Sequence, residues 1–98
     1  MTPRLFVRDD AVADLEEATD WYEARRPGLG GEFLRAVRAL FASVAREPGQ
    51  YPIARSPVRR ARVRRFPYVV YFVAEPDSVV VLAVFHGRRD PRVWQSRA

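Results

Sequence analysis

With 98 residues, 48% hydrophobic and 30% charged, the chain has room for one domain around a modest core, and its composition is that of a globular protein. It contains no cysteine, which removes disulfides and thiolate metal sites and suits a reducing cytoplasm. The net charge of +5 is unevenly spread: all 17 basic residues are arginine, with 7 against 9 acids in residues 1–50 and 10 against 3 acids in residues 51–98.

Codon usage in a GC-rich genome accounts for the missing lysines but not for where the arginines lie. Such asymmetry points to an anionic partner, either nucleic acid or an acidic protein segment. No apolar run approaches the roughly 20 residues of a transmembrane helix. Leu5-Phe6-Val7 gives way at once to Arg8-Asp9-Asp10, so no secretion signal is read there and a soluble cytoplasmic protein is expected.

Pro3 to Arg8 reads as a short strand with Leu5 and Val7 on one face and Phe6 on the other. Asp9 and Asp10 stand where a helix N-terminus favours acids, as caps and as partners of the helix dipole. Ala11, Leu15, Ala18 and Tyr22 then form one apolar stripe, closed by Arg25, Arg26 and Pro27-Gly28. After Gly30-Gly31 a second stripe runs through Phe33, Val37, Leu40 and Val44, widened by Phe41 and ended by Glu47-Pro48-Gly49. Two helices joined by a short Pro/Gly turn predict an antiparallel hairpin.

Tyr51 to Pro57 reads as a proline-punctuated connection. From Arg59 the period is two, placing Arg60, Arg62 and Arg64 on one strand face opposite Ala61 and Val63. Tyr68–Val73 and Val79–Phe85 are β-branched and aromatic runs around the turn Pro76-Asp77-Ser78, a hairpin. The predicted fold is α+β, in the order β-α-α-β-β-β, with a helical hairpin packed on one face of a mainly antiparallel four-stranded sheet, all within a single domain over residues 1–98. Its last two strands are apolar on both faces, and a helix hairpin covers only one. The other face, carrying some of Tyr71, Val73, Val79, Val81 and Phe85, therefore needs a cover. A partner is the reading preferred; the tail folding back with Trp94, or a strongly curled sheet, is the alternative.

With one histidine and no cysteine, no metal constellation and no cofactor motif is found. Asp9, Asp10, Asp14, Glu16, Glu17, Asp20 and Glu23 read as a solvated helix face. Arg60, Arg62 and Arg64 would stand about 6.6 Å apart along their strand, a spacing suited to phosphates or carboxylates; an edge strand protected from aggregation by charge is the plainer alternative. At the end of the last strand, His86-Gly87-Arg88-Arg89-Asp90 joins a residue suited to proton transfer with arginines able to stabilise a phosphate, unless His86 is structural.

Arg64-Arg65-Phe66-Pro67-Tyr68-Val69-Val70-Tyr71, followed by Val79–Val84, His86-Gly87-Arg88-Arg89-Asp90-Pro91 and Trp94, resembles the RelE/ParE superfamily of bacterial toxins. Ala13-Asp14-Leu15, Tyr22, Arg26, Pro27-Gly28, Gly31, Phe33 and Glu47-Pro48 resemble its helical hairpin, so the likeness spans nearly the whole chain. The resemblance implies the same β-α-α-β-β-β fold and a toxin of a type II toxin–antitoxin module. It also implies a hetero-oligomer with a cognate antitoxin whose acidic, apolar C-terminal segment wraps the toxin. RelE-like members cut ribosome-bound messenger RNA; for that branch the matching catalytic residues are His86, Arg65 and Arg88. ParE-like members poison DNA gyrase. Tyr68 or a neighbour stands where several ribonuclease members carry a catalytic arginine, no tyrosine follows His86, and the pattern is more similar to ParE. The residues expected to meet antitoxin or target are Arg60, Arg62, Arg64, Tyr71, Phe85, Arg89, Trp94 and Arg97.

Overall fold

A computed structural model describes residues 3–98. The elements are β1 (Arg4–Val7), α1 (Asp9–Arg25), α2 (Leu29–Arg46), β2 (Ile53–Arg55), β3 (Val58–Arg62), β4 (Tyr68–Ala74), β5 (Ser78–His86) and a short α3 (Pro91–Gln95), with a 3-10 turn at Pro48–Gln50. The expected α+β fold is present, with five strands rather than four, in the order β1-β5-β4-β3-β2. The added strand is β2, within the stretch read as a connection; its residues are all exposed, so no hydrophobic alternation announces it. β1 runs parallel to β5, and every other neighbouring pair is antiparallel.

Both helical stripes face the sheet. Ala11, Ala18, Phe33, Val37 and Val44 are buried with Ala61, Val70, Phe72, Val79, Val81 and Val84 in one core. Tyr22, Phe33, Phe66 and Tyr68 extend it with ring centroids 5.0–5.9 Å apart. Asp9 and Asp10 lie in the first turn of α1, favourably for its dipole, but neither caps it; the N-cap is Arg8 and no side chain bonds there.

The helices sit closer together than the Gly30-Gly31 pair suggested, because α2 begins at Leu29 and contains both glycines. A Cβ on Gly30 would lie 2.7 Å from the Thr19 carbonyl oxygen, so only glycine permits the contact. Glu23, exposed as expected, also accepts hydrogen bonds from the Gly28 and Gly30 amides at 3.0 Å each and so satisfies the otherwise unpaired start of α2. Gly28 itself turns the chain at φ 90°.

The second sheet face is covered largely from within. Between β4 and β5 the register slips, with Tyr71 opposite Ala83 and Phe72 opposite Val81. Leu82 is the extra residue of a bulge, so Leu82 and Ala83 both turn away from the helices and Val84 returns to them. Val79 and Val81 thus belong to the helix side, leaving Val58, Leu82, Ala83 and Phe85 on the other with Trp94 of α3. Trp94 is 3% exposed and stacks on Tyr71 at 4.4 Å. Tyr71, Val73 and Val80 stay half-buried at the margin of this cover.

Candidate functional site

The residues expected to meet a partner fall into four places. The first is a structural latch. β1 pairs with β5 as far as Val81, whose carbonyl accepts the Arg8 amide at 3.1 Å. Beyond it the β5 edge has no strand partner, and side chains replace one. Asp14 accepts the Val84 amide at 3.1 Å, while Arg97 donates to the Leu82 carbonyl at 3.2 Å. The two close on each other through bonds of 2.7 and 3.3 Å.

Asp14, expected on a solvated face, is only 9% exposed. It lies three residues from Ala11 and four from Ala18, on the buried stripe, and that spacing was the overlooked signal. Its bond holds the Arg97 guanidinium above its usual pKa, against the opposing effect of burial. Arg97 and Arg89 also lie over the Phe85 ring, at 4.8 and 4.0 Å. Phe85, Arg89 and Arg97 are therefore together, and Phe85 and Arg97 are largely consumed by the fold.

The second place is the groove between β2 and α3, where Arg60, Tyr71 and Trp94 meet, joined by Ile53, which is half exposed. The buried Trp94 Nε1 finds no hydrogen-bond partner. Arg60 lines this groove, whereas Arg62, at the end of β3, lines another with Arg64, so the expected row of three is divided.

Arg64 begins the third place. It enters the turn between β3 and β4 with Arg65, whose φ of 69° is left-handed, and the Val63 amide closes that turn on the Tyr68 carbonyl at 2.9 Å. Arg62, Arg64 and Arg65 line a groove of about 580 Å³ against α2, with Arg35 on the helix side. Arg35 was not foreseen, because on α2 it reads as an ordinary solvent-facing charge.

The fourth place is a cleft of about 460 Å³ between α1 and the ends of β4 and β5, lined by residues including Glu17, Trp21, Tyr22, Tyr68, His86 and Arg89. Burial raises the Tyr68 phenol pKa and the Glu17 carboxylate adds to this, with Arg89 opposing; burial, then Tyr68, raises that of Tyr22. His86 Nδ1 accepts the Arg88 amide at 3.1 Å, and its ring meets Tyr68 edge-on at 5.5 Å. Of the three residues of the ribonuclease reading, His86 and Arg88 are neighbours through that bond, while His86 lines this cleft and Arg65 lines the α2 groove. Among the described residues no cluster of His, Cys, Asp or Glu is placed to hold a metal ion.

A helical hairpin on a five-stranded mixed sheet with an arginine-rich third strand defines a small α+β domain. The model of the family described as ParE toxin of type II toxin–antitoxin system, parDE, matches residues 5–91, and the chain belongs to that family. Among solved structures, a chain of the chromosomal ParDE toxin–antitoxin system from P. aeruginosa superimposes with a TM-score of 0.77 at 18% identity, over 87% of this chain and 96% of that one, a likeness of fold. No curated protein sequence matches significantly.

Proposed function

We propose that this ParE-family chain is a growth-arresting toxin of the cytoplasm that binds and inhibits DNA gyrase, and that a cognate antitoxin with an acidic, apolar C-terminal segment neutralises it. The family match over residues 5–91 carries the reading. Two features support it. No acid lies between Glu47 and Glu75 while six arginines do, so this half attracts carboxylates. Arg65 lines a different groove from His86, which supports a toxin that acts by binding over one that cleaves RNA with these residues. No helix of the described residues is long and apolar enough to cross a membrane.

Expression of the chain without its antitoxin should arrest growth and induce the DNA damage response. Purified gyrase incubated with the toxin should accumulate cleaved DNA. A gyrase reaction indifferent to the toxin rejects the target.

A further inference from the structure

The cleft beside α1 is walled by aromatic rings set steeply to one another. Trp21 and Tyr22 stand at 87° with centroids 5.1 Å apart, Tyr22 and Tyr68 at 63° and 5.9 Å, and Tyr68 and His86 at 73° and 5.5 Å. All of these rings line the cleft, and α1 adds Glu17, one turn before Trp21 on the same helix face.

Walls at such angles offer no pair of parallel faces to hold a planar base. The stacked pair of this fold, Tyr71 and Trp94, belongs to the other side of the sheet. Rings turned in several directions instead suit a rounded cation, which is drawn to the negative face of each. Trp21 already shows that attraction. It is half exposed, and the Arg25 guanidinium, outside the cleft lining, lies 4.0 Å from its ring centroid.

The charges beside the rings are of both signs. Glu17 is exposed and, among the described residues, free of any ion pair, whereas Asp14 is held by Arg97 at 2.7 Å. On the strand side Arg89 lies over Phe85 and 4.0 Å from that same Asp14, so its end of the cleft keeps a positive charge in excess. Both free charges are felt at one ring: after burial, Glu17 raises the Tyr68 phenol pKa, and Arg89 opposes it.

We propose that this cleft binds a small zwitterion, an alkylated ammonium joined by a short link to a carboxylate. The ammonium sits among Trp21, Tyr22 and Tyr68 with Glu17 as its counter-charge, and the carboxylate meets Arg89. A primary ammonium is the weaker fit, because it brings three donors to a site whose free acid is Glu17 alone; methyl groups exchange those donors for contact with the rings. At about 460 Å³ the cleft is of the size that takes small molecules. The site goes beyond the gyrase and antitoxin reading and stands without it.

The probe is glycine betaine, titrated into the full chain by calorimetry while the two indole N–H resonances are followed by NMR. It should bind saturably and move the Trp21 resonance, leaving that of the buried Trp94 in place. Trp21→Ala and Glu17→Gln, both at exposed positions of α1, should keep the wild-type urea midpoint and lose about tenfold in affinity. The carbon isostere of the probe, with carbon in place of the ammonium nitrogen, should bind about tenfold more weakly as well. Arg89→Gln should weaken glycine betaine but not choline, which has the ammonium without the carboxylate. Arg38→Ala, exposed on α2, should bind as wild type.

An absence of saturable binding up to about 10 mM overturns the site. Equal affinity for the carbon isostere overturns it too, since shape rather than charge would then be recognised. Folded Trp21→Ala and Glu17→Gln variants that bind undiminished place the ligand elsewhere, and an Arg89→Gln variant that weakens neither ligand rejects the zwitterion.

Discussion

Arg97 and the arginines of the α2 groove are the same residue in opposite circumstances. Arg97 has 16% side-chain exposure, a carboxylate at 2.7 Å and an aromatic ring beneath it. Arg62, Arg64 and Arg65 are exposed and unpaired among the described residues, on a strand end and turn. A guanidinium taken out of water must be matched or it destabilises the fold, whereas one left in water is available to a ligand at almost no cost to stability. An arginine excess is thus two populations, one consumed by the fold and one left free in solvent.

The largest expected effect tests the covered side of that contrast. Trp94→Ala removes the ring that shields Phe85 and Tyr71, and should cost about 3–5 kcal/mol in urea denaturation, a usual range for truncating a buried tryptophan. Trp94→Phe should cost far less, because the lost indole N–H makes no hydrogen bond in the fold. If Trp94→Ala is nearly neutral, the tail is not a structural cover and the second face lies open to a partner.

Asp14→Ala should follow at about 3 kcal/mol, since it strands a largely buried Arg97 and leaves the Val84 amide without an acceptor. Asp14→Asn keeps an acceptor for that amide and should recover part of the loss. A cost below that of an ordinary surface substitution would show that water replaces the carboxylate and that the latch is incidental.

The sequence made the parts set by local periodicity legible: both helical stripes, the three longer C-terminal strands and the apolar character of both faces of β5. It hid what depends on residues distant in the chain. β2 exists because β3 offers it a free edge, and nothing in the exposed Ile53-Ala54-Arg55 alternates. Asp14 looked like a solvated acid because its partners, Val84 and Arg97, lie far along the chain, and the bonds of the exposed Glu23 to the amides of Gly28 and Gly30 were hidden in the same way. The bulge at Leu82 shifted the facing of the strand by one residue, which no alternation rule anticipates in a run apolar throughout. Of the site, the arginine cluster was evident but its division was not. Arg60 faces Tyr71 and Trp94, while Arg64 and Arg65 turn with Arg62 towards α2.

The smallest effect lies at the entry to α3, where an arginine is paired yet fully exposed, between the two extremes. Asp90 caps that helix by accepting the Arg92 amide at 2.9 Å, and the Arg92 side chain bonds the same carboxylate at 2.7 Å. The Arg92 side chain first, and its amide second, hold the Asp90 carboxyl below the usual carboxylate range. A depressed pKa in the folded state stabilises the fold above the unfolded-state value, and that contribution disappears as the pH falls through the lowered one. Asp90→Asn keeps a capping oxygen and removes the charge. Wild type should therefore have a slightly higher urea midpoint than Asp90→Asn between about pH 7 and pH 5, with the gap closing under stronger acid. A gap that persists unchanged into acid would assign the effect to cap geometry, leaving the Arg92 pair with no part in it.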